Sequence, residues 1–144
     1  MVRINIIPVK YLTDQHLNAE KTEILMLCKY IIKYPYLDGS EPSKYKLDKG
    51  HMKFFKDKVI YLKNRYDTIL EELSKRGYNL DYHFPTLKNF LNENLNDWQP
   101  CIQDYCIIIP RIMQKIELKP NWYKYYKKDF NLNDYFISLY NLIK

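Results

Sequence analysis

The chain has no run approaching the roughly 18 consecutive apolar residues of a membrane span, and its N-terminus lacks the apolar stretch and small-residue cleavage site of a secretory signal. A soluble, intracellular protein with no membrane partner is therefore expected. Cysteine is scarce: Cys28, Cys101 and Cys106 have no zinc-like pairing, and an odd count argues against a disulfide framework. Reduced structural thiols are expected instead. Internal repeats and low-complexity tails are also missing. With 144 residues, 47% of them hydrophobic, the chain can bury one core but is short for two, so a single domain over 1–144 is expected.

Acidic residues are nearly absent from one stretch. Between Arg111 and Lys128 the basic residues Arg111, Lys115, Lys119, Lys124, Lys127 and Lys128 face only Glu117, so this segment carries +5 of the formal net charge of +6. A polyanion-binding surface is expected there. Arg111, Lys115 and Lys119, spaced i, i+4, i+8, form one basic stripe on a helix. The following Trp122-Tyr123-Lys124-Tyr125-Tyr126 interleaves rings with a lysine, a pattern suited to stacking on bases while neutralising a backbone. Core packing is the competing role for part of this aromatic segment.

Apolar spacing predicts an all-α fold with about three main helices. Residues 2 to 9 are β-branched and apolar but end at Pro8 with no partner strand in view, so an extended arm is predicted. Helix one starts at Thr13 or Asp14 as N-cap and runs to Pro35, and a loop follows to Gly50. A second helix is predicted from about Phe54 to Arg76 with Gly77 as its C-cap, then a shorter one from Pro85 to Leu95. Another spans about Pro100 to Leu118, kinked or divided by Pro110. Asn133 is the expected cap of a last helix from Asp134 to Ile143.

On helix one, at about 100° per residue, Leu17, Ile24, Cys28 and Ile31 share a face, Glu20 falls inside that stripe, and His16 and Glu23 border it. Glu20 is read as a buried acid that anchors the arm or a core cation. His16, Glu20 and Glu23 can also be drawn as metal ligands, but the spacing is unspecific and too poor in histidine, so no metal and no cofactor are expected.

The blocks Arg3-Ile4-Asn5, Asp14-Gln15-His16-Leu17-x-Ala19-Glu20-x-x-Glu23, Gly50-His51-x-x-Phe54-Phe55-x-Asp57-Lys58 and Lys75-Arg76-Gly77-Tyr78-Asn79 occur in that order, followed by Arg111-x-x-x-Lys115-Ile116, Pro120 and Trp122 to Tyr126. In this the chain resembles the pyrimidine-dimer DNA glycosylase/AP lyase family typified by phage endonuclease V. The resemblance implies a DNA repair enzyme that excises UV-induced dimers and then nicks the strand by β-elimination. Its nucleophile would be the α-amine of Val2, exposed on removal of Met1. At pH 7.4 roughly a quarter of an α-amine is free base, against about 0.1% of a lysine side chain, so a terminal amine needs little tuning.

By the same resemblance Glu23 would stabilise charge on the sugar and move protons, Arg3 would hold a phosphate, and Gln15 and His16 would line the cleft. Arg111 and Lys115 would contact DNA phosphates, with Trp122, Tyr123, Lys124 and Tyr125 completing the DNA-binding surface. The implied partner is double-stranded DNA carrying UV photoproducts or abasic sites, kinked and with extrahelical nucleotides, and bound by a monomer. Two departures matter: relatives often carry arginines where this chain has Thr22 and Met26, and residues 129–144 extend past the phage enzyme's end. Two alternatives stay open, a lyase or glycosylase for abasic sites or another damaged base, and a DNA-binding relative without catalysis.

Overall fold

The computed structural model describes residues 2–144. It is all-α, and among the described residues there is no strand, only an isolated bridge between Tyr125 and Lys128. Helix α1 (Asp14–Lys33) starts where Thr13 Oγ1 accepts the His16 N–H and stops just before Pro35. It packs against α3 (Val59–Lys75), joining Leu17, Ile24, Leu27 and Ile31 to Leu62, Tyr66, Ile69 and Leu73 in a buried core. The end of α3 follows directly from Gly77. At φ +92° it lets Gly77 N–H reach Ser74 O and Tyr78 N–H reach Leu73 O, both at 3.0 Å, the paired bonds of a Schellman cap.

Four features differ from the sequence expectation. The helix expected from Phe54 is broken into a one-turn α2 (His51–Phe54) and α3, because Phe55, Lys56 and Lys58 close i→i+3 bonds instead. This break buries Phe54 and Phe55 together against Tyr45, Tyr61 and Trp98. The helix expected over 85–95 is two 3-10 turns, Leu87–Asn89 and Asn92–Asn94. Here the buried Asn94 side chain accepts from Leu91 N–H and donates to the carbonyls of Pro35 and Lys56, competing with helical pairing. Pro110 does not divide α4 (Ile102–Leu118). It is exposed, as is Cys106 one turn earlier, so water can satisfy the carbonyl that the proline leaves unpaired. Helix α5 (Leu132–Tyr140) is capped by Asn131, which accepts Asp134 N–H at 2.9 Å, two residues before the expected Asn133.

The arm is core rather than appendage. Ile4, Ile6 and Ile7 are fully or almost fully buried along α1 and α3. Ile6 has φ +50°, and Ile7 N–H turns back to Asn5 O at 2.5 Å, a strained γ-turn for a β-branched residue. Such a turn costs on the order of 1–3 kcal/mol and persists only where surrounding bonds fix it. Glu20 and Arg65 do so. Glu20 Oε1 accepts Asn5 N–H at 3.0 Å, and Arg65, paired with Glu20 at 2.6 Å, also donates to Ile7 O.

Candidate active site

Glu23 lies on α1 beside the arm, and its Oε1 accepts Arg3 N–H at 2.7 Å. The next amide, Ile4 N–H, donates to His51 Nε2 at 2.9 Å, and the third, Asn5 N–H, to Glu20. Three successive backbone amides are thus held by three side chains. His51 must be neutral for this: Nε2 accepts, so Nδ1 carries the hydrogen that goes to Lys46 O at 2.7 Å. Burial lowers the His51 pKa in keeping with that role. Tyr45 O–H completes the clamp by donating to Ile4 O at 2.8 Å. The Val2 side chain is buried next to this set. Met1, whose removal the Val2 assignment requires, lies outside the described residues.

Arg3 is the charge at the centre. Its Nε donates to Asn5 Oδ1 at 3.0 Å, and it has no ion pair among the described residues. Its field reaches His16, Glu23, Asp48, His51 and Tyr123. Burial raises the Glu23 pKa above its ordinary 4.5, with the Arg3 amide and charge opposing that rise. A half-buried carboxylate beside an unpaired guanidinium can hold charge and accept a proton. Glu20, fully committed to Arg65 and Asn5, is not available to join His16 and Glu23 around a metal.

Other sequence-designated residues serve the aromatic segment. Gln15 Oε1 accepts Lys124 N–H at 2.7 Å, and Asp14 N–H donates to Lys124 O. His16 is buried beneath Tyr123, their rings stacked 4.9 Å apart. Burial, then Arg3, pushes its pKa down to about 3. It is a neutral support for Tyr123. Tyr125 packs over Arg76 and donates its hydroxyl to Lys10 O at 2.6 Å, while Lys124 is paired with Asp129. Trp122, 57% exposed, is the ring of this segment most open to a base.

The hub of that arrangement is Asp14, which the sequence marks as a possible cap and as the start of a family block but not as a site residue. Tyr126 and Lys127 both have positive φ, forming a two-residue turn without asparagine or glycine. Their N–H groups point at the Asp14 carboxylate, at 3.0 and 2.7 Å, which also accepts from Arg76 and Tyr78. A buried carboxylate therefore holds a strained turn, and with it the segment that stacks Tyr123 on His16.

On α4, Lys115 is exposed and unpaired among the described residues. Arg111 instead makes a two-pronged pair with Asp48, at 3.1 and 2.9 Å, on the turn that leads into His51. His51, Tyr45 and Asp48 escaped sequence reasoning as site residues. The local signal beside them was the Gly50-His51 block, in which Gly50, with a φ of +92°, makes the turn from Asp48 into α2.

The buried histidine has a measurable consequence. Unfolded His16 takes up a proton near pH 6.5 and the folded side chain refuses it until about 3, so stability is full above that window and falls as pH drops through it. Urea unfolding at pH 7 and pH 5 should show this loss, and His16→Gln should flatten it. An equal loss in the variant would assign the acid sensitivity elsewhere.

A family model described as pyrimidine dimer DNA glycosylase matches residues 1–86, a span containing Val2, Arg3, Glu20, Glu23, His51 and Arg65. The match covers more than half of the chain and the whole amide clamp around the arm, so this protein belongs to the pyrimidine dimer DNA glycosylase family.

Proposed function

We propose that the chain excises cyclobutane pyrimidine dimers through a Schiff base on the Val2 α-amine and then cleaves the strand as an AP lyase. The observation that carries this reading is the 2.7 Å bond from Arg3 N–H to Glu23, which sets a carboxylate one residue from the amine that Met1 removal would create. Attack of that amine on C1′ breaks the glycosidic bond, and the departing base takes the electron pair. Opening of the sugar ring then leaves an imine between Val2 and C1′. The imine acidifies the C2′ proton. Its loss expels the 3′ phosphate, and water finally hydrolyses the imine. Glu23 stabilises the positive charge at C1′ and relays the C2′ proton, Arg3 binds the flanking phosphate, and the clamp excludes wrong geometries.

In this reading Lys115, Arg111, Lys124 and Trp122 face the duplex, with Tyr123 stacked on His16 beside them. Gln15, His16 and Tyr125 act by holding that surface in place. Thr22 and Met26 are both exposed on α1 and offer no charge to a phosphate, which supports a second reading: the same amine acting on abasic sites or another damaged base. A panel of duplexes carrying a thymine dimer, an abasic site or an oxidised base separates the two.

Retaining Met1 would move the amine by up to about 3.6 Å, and activity should fall with the fraction of retained Met1 measured by mass spectrometry. Full activity in a homogeneous Met1-retaining preparation would remove Val2 from the mechanism. Arg111→Ala is expected to lower the salt slope of DNA binding by about one, measured as log Kd against log salt. An unchanged slope would leave Arg111 as a partner of Asp48 alone.

A further inference from the structure

A cavity of about 570 Å³ lies between α1 and the turn into α2, within the size range of small-ligand sites. Tyr30 and Met52 form its apolar walls, and Lys46, Lys49 and Lys53 line it together with the single acid Asp48. Two of these charges are already engaged: Lys53 with Asp38 and Ser40, Asp48 with Arg111. Lys46 and Lys49 are exposed and have no ion pair among the described residues. The cavity therefore presents two free ammonium groups over an apolar wall.

Its position is also telling. Tyr30 follows Glu23 by seven residues on α1, which puts both on one face of the helix, about 10 Å apart along its axis. Where α1 lies along the bound strand, that spacing spans roughly three nucleotide steps, at about 3.4 Å of duplex axis each. The carbonyls of Lys46 and Asp48 accept from His51 Nδ1–H at 2.7 Å and His51 N–H at 3.1 Å, so the cavity wall adjoins the histidine that holds Ile4 N–H in the candidate active site.

We infer that this cavity binds a nucleotide of the DNA strand about three steps from the reacting sugar, its phosphate on Lys46 and Lys49 and its sugar and base edge against Tyr30 and Met52. The inference rests on the DNA-binding reading above. It assigns to the α2 turn a contact that fixes the register of the duplex, beyond the stripe on α4.

The test pairs Lys46→Ala/Lys49→Ala with single methylphosphonates, which remove one phosphate charge each, placed one to five nucleotides either side of a thymine dimer. With the wild-type protein, one or two positions near the third step should weaken binding, and the double variant should be insensitive to those same positions. Its salt slope should fall by about one per lysine, whereas Lys88→Ala/Lys144→Ala, with the same change in net charge, should keep the wild-type pattern. If the wild-type protein does not bind the duplex, the DNA reading itself fails. If it binds, and the double variant keeps the full methylphosphonate pattern and slope, this cavity is not a nucleotide site.

Discussion

Glu23→Gln is expected to bind a dimer-containing duplex as the wild type does and to lose roughly 10²- to 10⁴-fold in single-turnover cleavage. Glutamine keeps an amide oxygen to accept Arg3 N–H at the position where Glu23 Oε1 now lies, so the arm should stay in place. What disappears is the negative charge and the capacity to take a proton. The pH profile provides a second readout. Because burial raises the Glu23 pKa above 4.5, its working carboxylate is lost as pH falls through that raised value, giving the wild type an acid limb. A further rise toward about pH 8 reflects deprotonation of the α-amine. In Glu23→Gln the acid limb should vanish while the amine limb remains. Wild-type turnover in the variant would remove Glu23 from the chemistry.

Glu20→Gln should cost about 3–5 kcal/mol of stability, lowering the melting temperature by roughly 10 °C or more. The Glu20 side chain is fully buried and faces a buried Arg65. Replacing one oxygen by an amide leaves the guanidinium charge with no counter-ion in the core, a far larger penalty than loss of a surface pair. The effect should also reach the site. Glutamine keeps one acceptor oxygen where Glu20 uses two, so Asn5 N–H and Arg65 compete for it and the bonds that fix the γ-turn at Ile6 are weakened. Faster hydrogen exchange at Ile4 and Asn5 would accompany the lower melting temperature. Glu20→Leu/Arg65→Met should regain part of the stability by removing both charges, yet keep the loosened arm, since Asn5 N–H and Ile7 O are then without partners. A loss below about 1 kcal/mol in Glu20→Gln would mean that the pair does not hold the arm.

Much of the frame was legible because it is periodic. The stripe on α1 and the Gly77 stop of α3 depend on residues close in sequence, and a carboxylate inside an apolar stripe marks Glu20 as an anchor. The breaks were not legible. Whether 54–58 stays helical depends on a cluster completed by Trp98, and the turns around 87–94 depend on carbonyls of Pro35 and Lys56 that Asn94 reaches across the fold. The same limit applies at the site. His51 holds Ile4 from 47 positions away, and Asp14 meets Lys127 from 113 positions away. The resemblance set Gln15 in the cleft and Tyr125 on the DNA-binding surface, whereas their polar atoms are engaged in holding the aromatic segment to α1 and to Lys10.

The central claim is that the α-amine of Val2 forms a covalent imine with damaged DNA. Borohydride reduction of the processed protein on matched duplexes with a thymine dimer, an abasic site or no lesion tests it directly. The account predicts a stable cross-link on the dimer duplex, none on undamaged DNA, and a peptide map placing the adduct on the N-terminal Val2 amine. Tight binding to the dimer with no cross-link, or an adduct on a lysine side chain, would contradict it.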